Sequence, residues 1–458
     1  MLAQGLSFLK NHRKRAKKTL TPGIASLQTG YDMKDDTAFS LLKQRSLGTS
    51  KDPITNWARS GVVDPDANPA LPSVPSVSSL YVHIPFCFHK CHYCDFYSIV
   101  DRQDRQEAFV ERMIRELRAQ SNASGHPTLD TIFIGGGTPT LLAPKLLRDL
   151  LSNIEREFSI TPTTEWTIES NPETFTEEIC DVLVESGVNR ISTGAQSFNT
   201  KHLKALERHH DPESVERSIH RAKAAGFERL SLDLIYGVPT QTLEEWAEDL
   251  QRAFELPIDH ISAYALTYEP NTAMTARLKR GEFEPTPDEL EVEMYNHTLD
   301  QIRKHGLERY EVSNHAIPGS ECKHNLAYWQ GKNWLAVGPS ASGHLDGMRW
   351  KNTPRLDEYI NTSEDGFAPI CEHESPDPRR SLMDRMMLSV RISEGLDRTE
   401  LLAQAEGFGC GQRVESAMTL CIDQGWVSLD TDRWKLTDDG YHFADRVARE
   451  LIGALIED

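Results

Sequence analysis

The sequence predicts an α/β protein built on a parallel sheet. Three observations lead to that fold class. From residue 79, short apolar runs alternate with amphipathic helical stretches through six strand–helix units. Polar or glycine-rich segments follow directly on several of the apolar runs. The alternation begins after a linker, residues 61–79, rich in Pro, Ser, Val and Ala. Strands separated by helices return parallel to one another, through right-handed crossovers.

The elements follow in order. Residues 80–84 form the first strand. Residues 106–120 carry Phe109, Met113, Ile114 and Leu117 at helical spacing. Residues 131–134 are a second strand, and 144–158 a helix with Leu146, Leu147, Leu150, Leu151 and Ile154 facing inward. A strand at 165–170 precedes a helix at 176–186, which Gly187 ends. Strands at 190–194, 229–235 and 259–267 alternate with helices that include 212–225 and 243–255. Another helix spans 288–306. Residues 307–350 read as irregular and are rich in His, Asn, Trp and Gly. Helical patterning resumes at 381. A helix at 412–424 precedes a hairpin, 426–429 with 433–436, around Asp430-Thr431-Asp432. One closing helix is expected over 438–456. This helix–hairpin–helix order resembles a winged-helix module. Four regions result: an N-terminal extension (1–78), a core (79–306), a connecting region (307–378) and a C-terminal, mostly helical domain (379–458).

Composition narrows the function. The chain has 458 residues and a formal net charge of −19, which argues against general nucleic-acid binding. The C-terminal module is therefore expected to pack or bind a partner rather than DNA. No apolar run is long enough to span a bilayer. Eight cysteines without a paired pattern suit a reducing compartment, so a cytoplasmic location is expected. Lys10, Arg13, Lys14, Arg15, Lys17 and Lys18 all precede the first acidic residue, Asp32. That segment reads as a poorly ordered extension; a transit peptide, a basic arm or a start placed too far upstream are its alternatives.

The densest chemistry is Cys87-Phe88-His89-Lys90-Cys91-His92-Tyr93-Cys94, with C-x3-C-x2-C spacing. A structural zinc site wants four ligands, usually in two separated pairs. Three clustered thiolates suit an iron–sulfur cluster better. On a four-iron cluster they leave one iron open to a small molecule. A partial zinc site completed by His89 or His92, or a set of reduced buried cysteines, is the alternative. Further along, Gly135-Gly136-Gly137 would let a ligand approach the backbone. Glu169 is a strand-end carboxylate, Arg208 is a guanidinium beside Glu207, and Asp233 is a lone carboxylate in an apolar strand that needs a partner.

Tyr81-Val82-His83-Ile84-Pro85-Phe86-Cys87 with the cysteine spacing resembles the start of the radical SAM proteins. More narrowly, it resembles the oxygen-independent coproporphyrinogen oxidase group. The resemblance covers roughly residues 79–456. It implies an incomplete (β/α)6 TIM-like barrel whose chemistry sits at the C-terminal ends of the strands. It also implies a 4Fe-4S cluster on Cys87, Cys91 and Cys94, with S-adenosylmethionine chelated at the open iron. In the family, reduction cleaves that cofactor to methionine and a 5′-deoxyadenosyl radical. Porphyrinogen dehydrogenases of the group carry a further cysteine two positions after the third. Here that position is Phe96, and the loop resembles that of the sister group, the HemW-type heme chaperones.

By the same resemblance, Gly136, Gly137 and Thr138 contact the methionine amino group and Glu169 the ribose hydroxyls. Gln196 lies on the adenosine side, and Arg208 meets the methionine carboxylate. Asp233 joins the same rim, and Tyr81 and Tyr93 are aromatic contacts. The H-N-x-x-Y-W segment supplies His324, Asn325, Tyr328 and Trp329 towards heme. Cys322, His315 and His344 are further heme candidates without a spacing argument. Two functions compete. One is a heme chaperone lacking dehydrogenase activity, with a heme-accepting protein and an electron donor as partners. That reading is compatible with a homodimer and gives membrane contact only through the acceptor. The other is an oxygen-independent coproporphyrinogen III dehydrogenase.

Overall fold

The computed structural model describes residues 76–361 and 366–456; the expected N-terminal extension lies outside them up to residue 75. Six strands form in the expected order: β1 (Ser79–Ile84), β2 (Thr128–Gly136), β3 (Ser159–Ser170), β4 (Arg190–Gln196), β5 (Arg229–Tyr236) and β6 (His260–Ala265). Each pairs in parallel with the next. The helices between them are α1 (Gln106–Ala123), α2 (Pro144–Glu157), α3 (Glu177–Glu185), α4 (Thr200–Ala205), α5 (Pro212–Ala224) and α6 (Leu243–Phe254). Thr242 and Glu245 close a capping box at the start of α6, and Gly187, with φ +76°, follows α3 where expected.

The stretch read as irregular completes this sheet. After α7 (Ala273–Lys279) and α8 (Asp288–Lys304) come β7 (Glu308–Arg309), β8 (Asn314–Ala316), α9 (Lys323–Trp329) and β9 (Leu335–Val337). The strand order is β7-β8-β6-β5-β4-β3-β2-β1-β9, with β8 antiparallel to β6 and β9 parallel to β1. Strands of two or three residues are too short to show a period, which is why sequence reading passed over them. β7 and β9 are not neighbours in that order, so the barrel stays open.

Strand alternation sets the two faces. Leu80, Val82, Ile132, Ile134, Trp166, Ile168, Ile191, Leu230, Leu232 and Ile261 join the helix residues Phe109, Met113, Leu147 and Ile219 in one buried apolar core. The intervening residues form the other face. Register places Tyr81 beside Phe133, Glu169 beside Ser192, and Asp233 beside both Gly194 and Ser262. A parallel strand buried on both faces usually reads as continuous apolar sequence. These strands alternate because their inner face lines a polar lumen.

Beyond β9, strands β10 (Ser342–Leu345), β11 (Met348–Asn352) and β12 (Ile370–Glu374) form a small antiparallel sheet, with α10 (Leu356–Asn361) before β12. A fully buried pair on α1 ties in this region. Arg112 donates to the carbonyls of Tyr359 (3.0 Å), Gly366 (2.9 Å) and Phe367 (2.7 Å). Glu116, one turn on, accepts from Tyr359 Oη (2.7 Å), Asn352 Nδ2 (2.9 Å) and the Gly338 amide (3.1 Å).

Residues 378–456 belong to a second compact unit. It holds α11 (Pro378–Ser389), β13 (Leu396–Asp397), α12 (Arg398–Glu406), α13 (Gly411–Asp423), the hairpin β14 (Val427–Asp430) and β15 (Arg433–Leu436), α14 (Asp438–Tyr441) and α15 (Ala444–Ile456). The hairpin turns through Thr431 and Asp432, both at positive φ (+47° and +65°), as a tight two-residue turn requires. β13 pairs with β15 to give a three-stranded wing. The expected single closing helix is interrupted after Tyr441. There Gly440 lies so close to the Trp426 carbonyl that a Cβ would collide with it.

Removing Arg112 takes away its bonds to three carbonyls and leaves Glu116 buried without its cation. Arg112→Ala is expected to lower the unfolding free energy by about 3–5 kcal/mol, measured by urea denaturation; a loss within experimental error would refute that role.

Candidate cofactor site

The cysteine loop leaves the end of β1 and is closed at its base by two backbone bonds. The Cys87 amide donates to the Ile99 carbonyl and the Ile99 amide to the Pro85 carbonyl, both at 2.8 Å. Lys90 holds the loop from within, donating to the Phe96 carbonyl and to Ser98 Oγ (2.9 Å). The His92 carbonyl accepts from the Met274 amide at 2.9 Å, which anchors the loop to α7. Cys87, Cys91 and Cys94 are free thiols and half-buried. Burial pushes the Cys87 thiol up, against a hydrogen bond from Thr138, and raises Cys94 to about 11.

The glycine segment ends β2 against this loop. The Gly137 amide donates to the Ile84 carbonyl and the Thr138 amide to the Phe86 carbonyl, both at 2.7 Å. Thr138 Oγ1 lies 3.7 Å from Cys87 Sγ. A Cβ on Gly137 would stand 2.6 Å from the Phe86 carbonyl oxygen, and one on Gly136 (φ +107°) would enter the His83 ring. Glycine is therefore required by the closeness of β1 as well as by any ligand. His83 Nε2 bonds the Tyr97 carbonyl (2.9 Å), so its Nδ1 accepts from Tyr81 Oη (3.0 Å). Burial lowers its pKa to about 4, and it is neutral.

Glu169, near the end of β3, accepts from the Gly136 amide at 3.0 Å. Burial, and then the charge of Asp233, push its carboxyl up to about 7. Asp233 on β5 accepts from Ser192 Oγ at 3.2 Å and is also raised by burial. Gln196 ends β4 at φ +65°, beyond a register shift after Gly194. Asp249 of α6 pins the turn that follows, accepting from Ser197 Oγ and the Phe198 amide, both at 2.6 Å. Arg208 donates to the Gly194 carbonyl (2.7 Å) and approaches Cys91 Sγ (3.9 Å); its Nε is buried without a hydrogen bond. Tyr93 lies among Arg208, Cys91, Cys94 and Asp233, and burial raises its pKa. Burial, reinforced by Glu169, does the same for Tyr81.

Cys87, Cys91, Cys94, Tyr93, Gly136, Gly137, Thr138, Glu169, Gln196, Arg208 and Asp233 thus gather at the C-terminal rim of the sheet. This donor set fits a thiolate-bound cluster. Three free thiols lie on one loop, Arg208 and Thr138 aim donors at two sulfurs, and the Arg208 Nε is left for an anion. Three groups on the lumen wall escaped sequence reading: Ser192, Ser262 and Glu311. Glu311 is fully buried, accepts from Asn314 Nδ2 and the Ser313 amide (3.3 Å), and is raised by burial to about 7.

The H-N-x-x-Y-W segment lies elsewhere. It forms α9, whose first amides, Lys323 and His324, donate to Glu165 at 3.0 and 3.1 Å. His324 is fully buried against Thr131, early in β2. Thr131 stands five residues before Gly136, about 16 Å along the strand from the rim. Thr131 donates to Ser79, so His324 Nδ1 donates to Thr131 (2.8 Å) and its Nε2 accepts from Tyr328 Oη (2.9 Å). Its ring stacks on Phe133 at 5.3 Å, and Tyr81 follows at 6.5 Å. Burial alone lowers its pKa to about 3. Both nitrogens are occupied, and an iron at Nε2 would have to displace Tyr328. Asn325 Nδ2 points to Tyr310 Oη (3.4 Å), and Trp329 is half-buried. His315 is buried on β8, Cys322 is buried beside Glu165, and His344 bonds the Lys332 carbonyl (2.9 Å).

An open parallel barrel with three cysteines after its first strand defines the radical SAM class. The model of the radical SAM superfamily matches residues 81–253. The fold resembles that of coproporphyrinogen III oxidase (HemN) from Escherichia coli, described as a radical SAM enzyme: TM-score 0.72 and 23% identity over 83% of this chain and 91% of that one. Closer in sequence are the heme chaperone HemW of Lactococcus lactis (33% identical, 82% of this chain, 97% of the relative), that of Bacillus subtilis (33%, 83% and 100%) and that of Escherichia coli (33%, 80% and 95%). The chain belongs to the HemW heme chaperone family.

Two outcomes follow from the buried groups. His324→Ala removes two hydrogen bonds and leaves a cavity, so urea denaturation is expected to show a loss of roughly 2–4 kcal/mol. An unchanged midpoint with heme binding lost would instead mark His324 as a heme ligand. Glu311 is raised from 4.5 to about 7, so the folded state holds its proton over a range where the unfolded state has lost it. Its contribution is full below pH 4.5 and falls away as pH rises through 7, by about 3 kcal/mol. Glu311→Gln is expected to abolish that decline in a pH series of urea melts; parallel curves for the two proteins would contradict it.

Proposed function

We propose that this protein binds heme and passes it to an acceptor hemoprotein, with a 4Fe-4S cluster and S-adenosylmethionine held at the C-terminal rim. The observation that carries the reading is the match to heme chaperones over about four-fifths of the chain and nearly all of theirs. Phe96, in the place of a further cysteine, supports it from the loop itself.

In this reading Cys87, Cys91 and Cys94 hold the cluster. When bound, cluster and S-adenosylmethionine supply one-electron reductive chemistry, which needs an electron donor protein. The chain's own residues orient and neutralise. Arg208 offsets thiolate charge at Cys91 and presents its unpaired Nε to a carboxylate. Gly136, Gly137 and Thr138 bring backbone close to an amino group. Glu169 and Gln196 accept and donate at ribose and adenine edges, and Asp233 faces the same space. Tyr93 and Tyr81 wall the lumen. His324, Asn325, Tyr328 and Trp329 lie on α9, where His324 packs against Thr131 early in β2, away from the thiols.

Anaerobic reconstitution followed by heme titration and mixing with an apo-hemoprotein tests the reading. Saturable heme binding with transfer to the acceptor is expected, without coproporphyrinogen turnover. Turnover without heme binding would overturn it. Cys91→Ala is expected to abolish the iron-dependent absorbance; an unchanged spectrum would reject the thiolate assignment.

A further inference from the structure

Beside the cysteine loop lies a group of side chains that this reading leaves unused. Residue 208 reaches inward to Cys91, but its neighbours Glu207 and His209 meet the histidines of the loop. Glu207 Oε2 is 3.8 Å from His89 Nε2, and Oε1 is 3.8 Å from His92 Nδ1. The His89 and His209 rings lie edge to face with centroids 4.5 Å apart. One ligand atom from each of His89, Glu207 and His209 falls within 4.8 Å of the other two.

Three features separate this group from an ordinary ion pair. A charged imidazole–carboxylate pair closes to about 2.7–2.9 Å, whereas these distances are too long for hydrogen bonds. The His89 Nε2 is buried and has no hydrogen-bond partner, although a carboxylate stands next to it. Glu207, at φ +56°, is the left-handed residue that closes α4, where the Arg208 amide bonds the Leu203 carbonyl (2.8 Å), so the helix end fixes its backbone beside the loop. His92 is not part of the set, because its Nδ1 faces Arg277 Nη1 at 3.3 Å.

We propose that His89, Glu207 and His209 form a mononuclear site for a divalent transition metal, beside the three thiolates and using none of them as ligands. Two imidazoles and one carboxylate are a donor set for Zn(II), Fe(II) or Co(II) that leaves further positions open. Donors at about 2.0–2.2 Å from such an ion stand roughly 3.3 Å from one another in a tetrahedron. His209 is exposed and Glu207 half-buried, which leaves their side chains room to close on an ion.

Co(II) is the probe, because its visible spectrum distinguishes nitrogen and oxygen ligands from thiolates. The full chain carrying Cys87→Ser, Cys91→Ser and Cys94→Ser removes the competing sulfurs, and the cluster-loaded wild type serves as the second background. One equivalent of Co(II) is expected to bind in both, without thiolate charge-transfer bands. His209→Ala and Glu207→Gln are expected to weaken it at least about tenfold, while the cluster absorbance in the second background persists. Failure of the cluster to assemble would count against the thiolate assignment and leave the first background to decide the metal site. No Co(II) binding in the triple-serine chain, or equal affinity after His209→Ala, would overturn the proposal.

Discussion

The contact on which the site depends is the approach of two backbones at the ends of β1 and β2. The Gly137 and Thr138 amides bond to the Ile84 and Phe86 carbonyls, and Thr138 reaches the first cysteine. No side chain fits between them: a Cβ at residue 137 would overlap the Phe86 carbonyl. This zipper sets the direction in which the cysteine loop leaves the sheet. It also frees the Gly136 amide for Glu169, so one close approach couples three successive strand ends. The second anchor, from Arg208 to the Gly194 carbonyl, does the same for β4. The rim is thus held by backbone geometry, with side chains added to it.

Much of this was legible in the sequence, for a physical reason. Parallel strands with one polar face keep a period of two, so β1 to β6 and their helices stood out. Motif residues at the strand ends fell on one rim because parallel strands all point the same way. What was not legible lacked a period or a spacing. β7, β8 and β9 are too short to alternate. Ser192 and Ser262 are ordinary hydroxyls until register sets them beside Asp233. Glu311 came from a stretch without pattern, and the break between Tyr441 and Ala444 carries no proline to mark it. His324 was ambiguous in principle: one histidine among aromatics reads alike whether its ring nitrogens meet a metal or a hydroxyl.

The lumen has two chemically different ends. At the rim, Glu169 and Asp233 are acids held towards their neutral forms by burial, Asp233 within the field of Arg208, whose Nε is unpaired. At the strand starts, Thr131, His324 and Tyr328 form a chain of hydrogen bonds that runs on to Ser79 and uses every ring nitrogen. The first end leaves polar atoms for a ligand, while the second spends them internally. A polar lumen is tolerable in a protein of this size because β1 to β6 and β9 commit their other face to the apolar core.

The unclosed sheet has a mechanical consequence. A complete barrel resists changes in girth, since widening it must break a hydrogen-bond ladder somewhere. Here no ladder joins β7 to β9. Small changes of twist at each strand pair can add up across nine strands, and none of them costs a bond. The sheet behaves as a leaf spring rather than a ring, stiff along its strands and compliant across them.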